Sequence, residues 1–144
     1  MENLTNEDIL KNDLNMTADD EMLITEYICG GIPVPDLMVR WKETDYRVVG
    51  VVFGRAVLVR PFMSSVEGNP LIEAVRPYLR RMSDMTDKEK EKLSKLVENA
   101  KKFPKNSDFG AIFRFFYVHH LDFLGLIEKN LAIEAPENMY VTLN

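Results

Sequence analysis

The hydrophobic pattern of the chain changes its period at residue 37, and this change limits the folds that are open to it. After Thr17, apolar residues recur at helical spacing up to Gly30. Pro33 and Pro35 then exclude a helix, because proline lacks the amide hydrogen and disfavours helical geometry in the residue before it. From Leu37 apolar and polar residues alternate, which is typical of a strand with one buried face. The sequence therefore predicts an α+β fold.

The strand pattern predicts a small curled antiparallel sheet of three or four strands. The three clearest strands are Leu37–Glu43, Tyr46–Phe53 and Ala56–Arg60. A polar turn at Thr44-Asp45 and a type II′ turn at Gly54-Arg55 connect them. After a loop at Ser64–Pro70, Leu71–Val75 is predicted as a fourth strand, with a helical turn as the alternative. An SH3-like arrangement is one form of such a sheet, and its closure into a barrel is left open.

Short N-terminal helices precede the sheet, and a C-terminal helical unit follows it. The N-terminal helices are Asn6–Leu14 and a segment after Thr17, where Thr17 and Asp20 are a hydroxyl and an acid at capping spacing. The C-terminal helices are Asp87–Phe103, a segment from Phe109 and the short Phe123–Lys129. Their predicted caps are Thr86 with Glu89, Ser107 or Asp108, and Asp122. Asn130 is predicted to adopt a left-handed conformation after the last helix.

The length of 144 residues and the hydrophobic content of 46% favour one domain over residues 1–144, with N-terminal helices in 1–36, the sheet in 37–76 and the helical unit in 86–130. The net charge is −5, yet Lys11 is the single basic residue of the acidic segment 1–36, whereas 37–105 holds most of the lysines and arginines. The acidic start, Met1–Asp8, does not resemble a secretory signal, and no stretch approaches the roughly 18 apolar residues of a membrane helix. We expect a cytoplasmic protein without membrane association.

His119, His120 and Asp122 are the residues that most invite a catalytic or metal-binding interpretation. Adjacent helical side chains point about 100° apart, so both imidazoles cannot easily face one metal ion. A histidine favoured by the dipole at the end of a helix and an aspartate cap explain the cluster without chemistry. No phosphate-binding glycine loop or nucleophile elbow is present either. The sequence therefore predicts no catalytic residue, no metal and no cofactor.

Arginine and aromatic residues on or beside the sheet are the candidate binding residues. Guanidinium groups bind phosphates and aromatic rings stack on bases, so such a surface could bind nucleic acid, although solvated strands look much the same. The candidates are Arg40, Trp41, Arg47, Arg55, Arg60, Arg76, Tyr78 and Arg80.

Two runs, Val75–Lys90 (VRPYLRRMSDMTDKEK) and His119–Pro136 (HHLDFLGLIEKNLAIEAP), resemble uncharacterised proteins encoded by gut-bacterial phages and prophages. In that set a PYLRPMSSMT segment precedes a helix, and an HxDYRGLIxKGLAxEAP pattern ends the similar region. The resemblance covers most of residues 75–140. The chain departs from the set at Arg81, Leu124 and Asn130, where the set has proline, arginine and glycine. The resemblance implies a mobile-element origin in a bacterial cytoplasm and assigns no activity.

These observations favour a non-catalytic binding or adaptor protein that acts through an unidentified host or phage protein. The reason is a well-specified fold with segregated charge and no catalytic constellation. Nucleic-acid binding through the arginine-bearing sheet is the alternative.

Overall fold

The computed structural model describes residues 16–30, 37–61, 65–102 and 109–143. These ranges contain three α-helices: α1 Ala18–Gly30, α2 Asp87–Lys102 and α3 Phe109–Val118. Helices and strands lie in separate segments, so the predicted α+β class is confirmed. In this described part of the chain, no helix combines the length and the apolar character that crossing a membrane requires.

Six strands among the described residues form one mixed sheet. They are β1 Met38–Trp41, β2 Thr44–Val52, β3 Arg55–Val59, β4 Val66–Gly68, β5 Arg76–Leu79 and β6 Ile133–Glu134. Their spatial order is β4-β3-β2-β1-β5-β6, and β5 and β6 pair in parallel. The sheet is open, so the predicted three or four antiparallel strands account for part of it, and an SH3-like arrangement is not confirmed. The sheet also extends beyond the predicted segment 37–76.

Both hairpins have two-residue turns with positive φ at both central residues, which is the geometry of a type I′ turn. Lys42 (φ 52°) and Glu43 (φ 62°) connect β1 to β2, and Phe53 (φ 51°) and Gly54 (φ 75°) connect β2 to β3. The predicted turns at Thr44-Asp45 and Gly54-Arg55 are therefore misplaced. The type I′ turn is favoured in hairpins because its twist matches that of the strands.

The segment that was predicted as a fourth strand contains a 3₁₀ turn, Ile72–Ala74. The amide of Ala74 donates to the carbonyl of Leu71 (3.0 Å), and the amide of Ile72 donates to the carbonyl of Gly54 (3.1 Å), which fixes the turn against the β2–β3 hairpin. The helical alternative is therefore the better description, and the strand begins at Arg76. The predicted loop 64–70, in turn, contains β4.

Two predicted helix caps are present. At α1 the amide of Asp20 donates to Thr17 Oγ1 (3.1 Å), and the amide of Thr17 donates to Asp20 Oδ2 (3.2 Å). At α2 the amide of Glu89 donates to Thr86 Oγ1 (3.2 Å), and the amide of Thr86 donates to Glu89 Oε1 (2.8 Å). Each reciprocal pair satisfies two amides that have no partner within the helix.

The prediction of a third C-terminal helix, Phe123–Lys129, is wrong. The segment is a series of turns, in which the carboxylate of Asp122 accepts the amides of Leu126 (2.7 Å) and Ile127 (2.9 Å). Gly125 has φ 74°, which interrupts any right-handed helix at its centre. Asn130 has φ 60°, so its predicted left-handed conformation is confirmed.

Several predicted features lie outside the described residues. These are the helix Asn6–Leu14, the prolines Pro33 and Pro35, and the cap at Ser107 or Asp108.

The two faces of the sheet have different surroundings. One face, the inner face, bears Val39, Val48 and Leu58, which belong to the same buried cluster as Ile24 and Ile28 of α1. The opposite, outer face bears Met38, Arg47 and Val59, which lie opposite one another in the register of β1, β2 and β3. The hydrophobic core therefore lies between the inner face and α1, and the outer face is the one available to a site.

Candidate functional site

A cavity of about 620 Å³ lies where β1 and β2, the end of α3 and the C-terminal segment 139–143 meet. Most of its lining is apolar. The apolar lining residues are Met38, Pro61, Val118, Met139, Val141 and Leu143. The polar lining residues are Arg47, His119, His120, Tyr140 and Thr142. Most of a ligand in this cavity would therefore contact apolar side chains, and a few polar groups would orient it.

A buried ionic cluster stands behind one wall of the cavity. Arg80 binds the Glu89 carboxylate with two parallel hydrogen bonds of 2.8 and 2.7 Å, and it also donates to the carbonyl of His119 (3.1 Å). His119 Nδ1 lies 3.1 Å from Glu89 Oε2. The cluster joins the residue after β5, the first turn of α2 and the residue after α3, and His119 belongs both to it and to the cavity wall.

The cluster changes the acidity of its members. Burial alone would raise the pKa of Glu89, but the hydrogen bonds from Arg80 and the Thr86 amide and the charge of Arg80 outweigh it and lower this pKa from 4.5 to about 2. Burial lowers the pKa of His119 from 6.5, against the attraction of Glu89. We infer that His119 is neutral at pH 7 and donates from Nδ1 to the carboxylate, so that its Nε2 is an acceptor.

Tyr140 fixes the C-terminal segment to the sheet. Its hydroxyl accepts the amide of Met38 (2.9 Å) and donates to the carbonyl of Tyr78 (2.8 Å), so it bridges β1 and β5. Its ring stacks on His120, with 3.7 Å between ring centroids and 8° between planes. His120 has φ 56°, a backbone conformation that turns the chain at the end of α3. One wall of the cavity is therefore held in place by a hydrogen-bonded and stacked tyrosine.

The β2–β3 hairpin presents a second notable surface at the far end of the outer face. Phe53 is 98% exposed at its tip, and Val52 and Val49 are 51% and 50% exposed beside it. Phe53 also has φ 51°. Positive φ is unusual for a bulky side chain, because the Cβ atom crowds the backbone there. We call Val49, Val52 and Phe53 the hairpin tip.

The predicted arginine and aromatic candidates do not form one surface. Some gather at β1, where Arg40 lies over the ring of Tyr78 (5.6 Å) and 3.7 Å from Asp45, and the Tyr78 hydroxyl donates to Asp45. Trp41, the next residue of β1, lies on the inner face, where it packs against the core cluster and against Gly68 of β4. Of the predicted candidates, the structure therefore brings together Arg40 and Tyr78.

The remaining candidates are distributed over the molecule. Arg80 is buried in the ionic cluster, and Arg76 donates to the carbonyls of Glu73 and Val75 (both 2.8 Å). Arg55 is exposed and donates to the carbonyl of Asn69 (3.0 Å). Arg47 lines the cavity, and Arg60 is exposed at the end of β3. An extended arginine-bearing face is therefore not observed among the described residues.

Sequence reasoning missed Glu89, Tyr140 and Phe53 as residues of interest. Glu89 was recognised as a cap, and its second role depends on Arg80, which approaches only in three dimensions. The sequence gives no signal for Phe53, because it ends the apolar run Tyr46–Phe53, which is typical of a buried strand. Within the described ranges, no group of three or more histidine, cysteine, aspartate or glutamate residues could hold a metal ion.

Comparison of the chain with known protein families, with curated protein sequences and with solved structures finds no match.

Proposed function

We propose that this chain is a non-catalytic binding protein that acts through a partner protein and contacts it with the hairpin tip. The observation that carries the proposal is the state of Phe53, which combines 98% exposure with a positive φ. The resemblance to phage-encoded proteins supports a search for the partner inside a bacterial host cell.

In the isolated chain, both the exposure of the Phe53 ring and the positive φ of its backbone are unfavourable. A phenyl ring in water contributes nothing to the core, and the left-handed backbone costs a residue with a Cβ atom about 1–2 kcal/mol. Asparagine or glycine would fill the first position of a type I′ turn without either cost. Burial of the ring in a partner would compensate both, since aromatic residues that fill pockets dominate many interfaces.

The surroundings of Phe53 specify the chemistry of the partner. Val52 and Val49 extend the apolar surface along β2, and the exposed Arg55 lies directly opposite Val52 in the hairpin register. The complementary surface is an apolar pocket for the ring with at least one carboxylate at its rim for the guanidinium. We therefore propose a protein partner with an acidic-rimmed apolar pocket.

The test compares tagged wild-type protein with Phe53→Ala in cells that carry the gene, by cross-linking and quantitative mass spectrometry. Met22→Ala is the matched control, because Met22 is an apolar residue 68% exposed on α1. We expect a protein that is captured by the wild type and the control and falls roughly ten-fold or more with Phe53→Ala. Equal capture by all three proteins, or no capture by any, would contradict the proposal.

Nucleic-acid binding is the second candidate, and one observation favours it. Arg40 lies over the ring of Tyr78 (5.6 Å), which places a guanidinium group beside an aromatic ring on the outer face of β1. Filter binding to single- and double-stranded DNA separates the candidates, because this mode predicts salt-sensitive binding that Arg40→Gln weakens and Phe53→Ala does not.

A further inference from the structure

We propose that the cavity at segment 139–143 binds a small amphipathic monocarboxylate, that is, a single carboxylate on an aliphatic or aromatic body. This site lies away from the hairpin tip, and the inference does not rest on the proposed function. Size, charge and rigidity of the cavity each support it.

The volume and lining of the cavity fit the apolar body of such a ligand. At about 620 Å³ it lies within the range of about 300–1,000 Å³ that is usual for small-molecule sites. Met38, Val118, Met139 and Leu143 line it from three different elements of the chain. Removing an alkyl or aryl group from water against these side chains is the favourable contribution to binding.

The charge of the lining fits one carboxylate. Arg47 contributes a permanent positive charge, and none of the described residues that line the cavity is aspartate or glutamate. The buried carboxylate of Glu89, which contacts the lining residue His119, is paired with Arg80 through two hydrogen bonds. A guanidinium has five N–H donors, so Arg47 can bind a carboxylate in addition to contacts within the protein.

The mainly apolar wall also selects against more highly charged ligands. A dianion such as inorganic phosphate would lose its hydration in the cavity and gain one permanent cation in return, which is an unfavourable exchange. A monocarboxylate with an apolar body loses less hydration and buries more apolar surface. The occupant is therefore an organic acid and not a phosphate.

The cavity is preformed. Tyr140 is held to β1 and β5 through its hydroxyl and to His120 through its ring, so the ligand does not need to order this residue of the wall. A preformed site avoids the conformational entropy cost that weakens binding to flexible segments.

The first experiment measures binding by calorimetry with decanoate, used below its micelle concentration, and with decan-1-ol as its uncharged counterpart. We expect saturable binding of decanoate that weakens roughly ten-fold or more in Arg47→Met, because a hydrogen-bonded charge pair is lost. Decanol should bind weakly to both proteins and show no such difference. Arg114→Met, an exposed arginine of α3 that does not line the cavity, should bind decanoate like the wild type.

A second measurement locates the ligand and does not depend on the folding of any variant. In wild-type protein with ¹³C-methyl methionine, we expect decanoate to shift the signals of Met38 and Met139, which line the cavity, and not that of Met22 on α1. The inference is overturned if neither decanoate nor 2-naphthoate binds saturably, if inorganic phosphate binds as well as decanoate, or if Met22 responds as strongly as the cavity methionines.

Discussion

At the scale of single residues, Glu89 links the end of β5, the start of α2 and the end of α3. One carboxylate caps α2 through the Thr86 amide, binds the Arg80 guanidinium and accepts Nδ1–H of His119. Its side chain is fully buried, so each of these contacts compensates part of the cost of removing a charge from water. The stability of the fold therefore depends on this carboxylate more than on any exposed acidic residue.

We expect Glu89→Gln to lower the free energy of unfolding by about 3 kcal/mol, because it leaves the buried Arg80 charge uncompensated. Urea denaturation followed by circular dichroism measures the change. Glu91→Gln is the control: Glu91 forms an exposed pair with Lys95 (3.3 Å) in the same helix, and its loss should cost at most about 0.5 kcal/mol. Equal effects of the two substitutions would show that the cluster does not stabilise the fold.

Sequence alone predicted half of this arrangement. The spacing of Thr86 and Glu89 within four residues is enough to identify the cap, because its geometry is local. The pairing with Arg80 is not local, since the end of β5 carries this arginine to α2, and Arg80 was accordingly grouped with the binding candidates. One of the two histidines was expected at the end of a helix, and His119 directly follows α3, but nothing in the sequence indicates its carboxylate partner.

At the scale of elements, the two type I′ hairpins show why turn positions were mispredicted. The usual signal for this turn is Asn-Gly or Asp-Gly, whereas the chain uses Lys42-Glu43 and Phe53-Gly54. Lys42, Glu43 and Phe53 have side chains that disfavour positive φ, so their identity does not indicate a type I′ turn. The positions of these turns are set by the pairing of the strands on either side. β4 and β6, with three and two residues, were missed because such short strands are defined by their neighbours and not by a pattern of their own.

We expect Phe53→Asn to raise the free energy of unfolding by about 1 kcal/mol, since asparagine tolerates the left-handed backbone better than phenylalanine. Phe53→Ala is the comparison, because it removes the ring and keeps a side chain that disfavours positive φ. Chemical denaturation of the three proteins measures the difference, and partner capture should be lost in both variants. If Phe53→Asn is no more stable than Phe53→Ala, the turn stores no strain.

At the scale of the whole molecule, the candidate cavity depends on pairings between distant segments. Met38 and Arg47 come from the sheet, His119 from the end of α3 and Tyr140 from the C-terminal segment. The sequence indicated the α+β class, most strands and the helix caps, because these follow from local period and capping chemistry. It could not place the C-terminal segment on the outer face, since that contact is tertiary.

We expect the stability of the molecule to fall on acidification. The pKa of Glu89 is about 2 in the folded protein and near 4.5 in the unfolded chain, so its contribution is complete above pH 4.5 and is lost as the pH falls towards 2. The size of this loss is about 3 kcal/mol. The lowered pKa of His119 adds a loss that begins below pH 6.5.

Urea denaturation at pH 7.5, 5.5 and 3 checks this expectation. The wild type should lose more stability between pH 5.5 and pH 3 than between pH 7.5 and pH 5.5, and Glu89→Gln should lose less than the wild type over the lower interval. Identical dependence in the two proteins would indicate that other carboxylates determine acid unfolding.

The parallel pairing of β5 with β6 also has a consequence for synthesis. Tyr78 pairs with Ile133, so α2 and α3 must be translated before β5 acquires its neighbour on that side. At roughly 5–20 residues per second, the nascent chain exposes an open strand edge for several seconds, and such an edge can pair with another chain. Pro77, which has no amide hydrogen, lies in the middle of this strand. It makes the temporary edge a poorer template for aggregation on the ribosome.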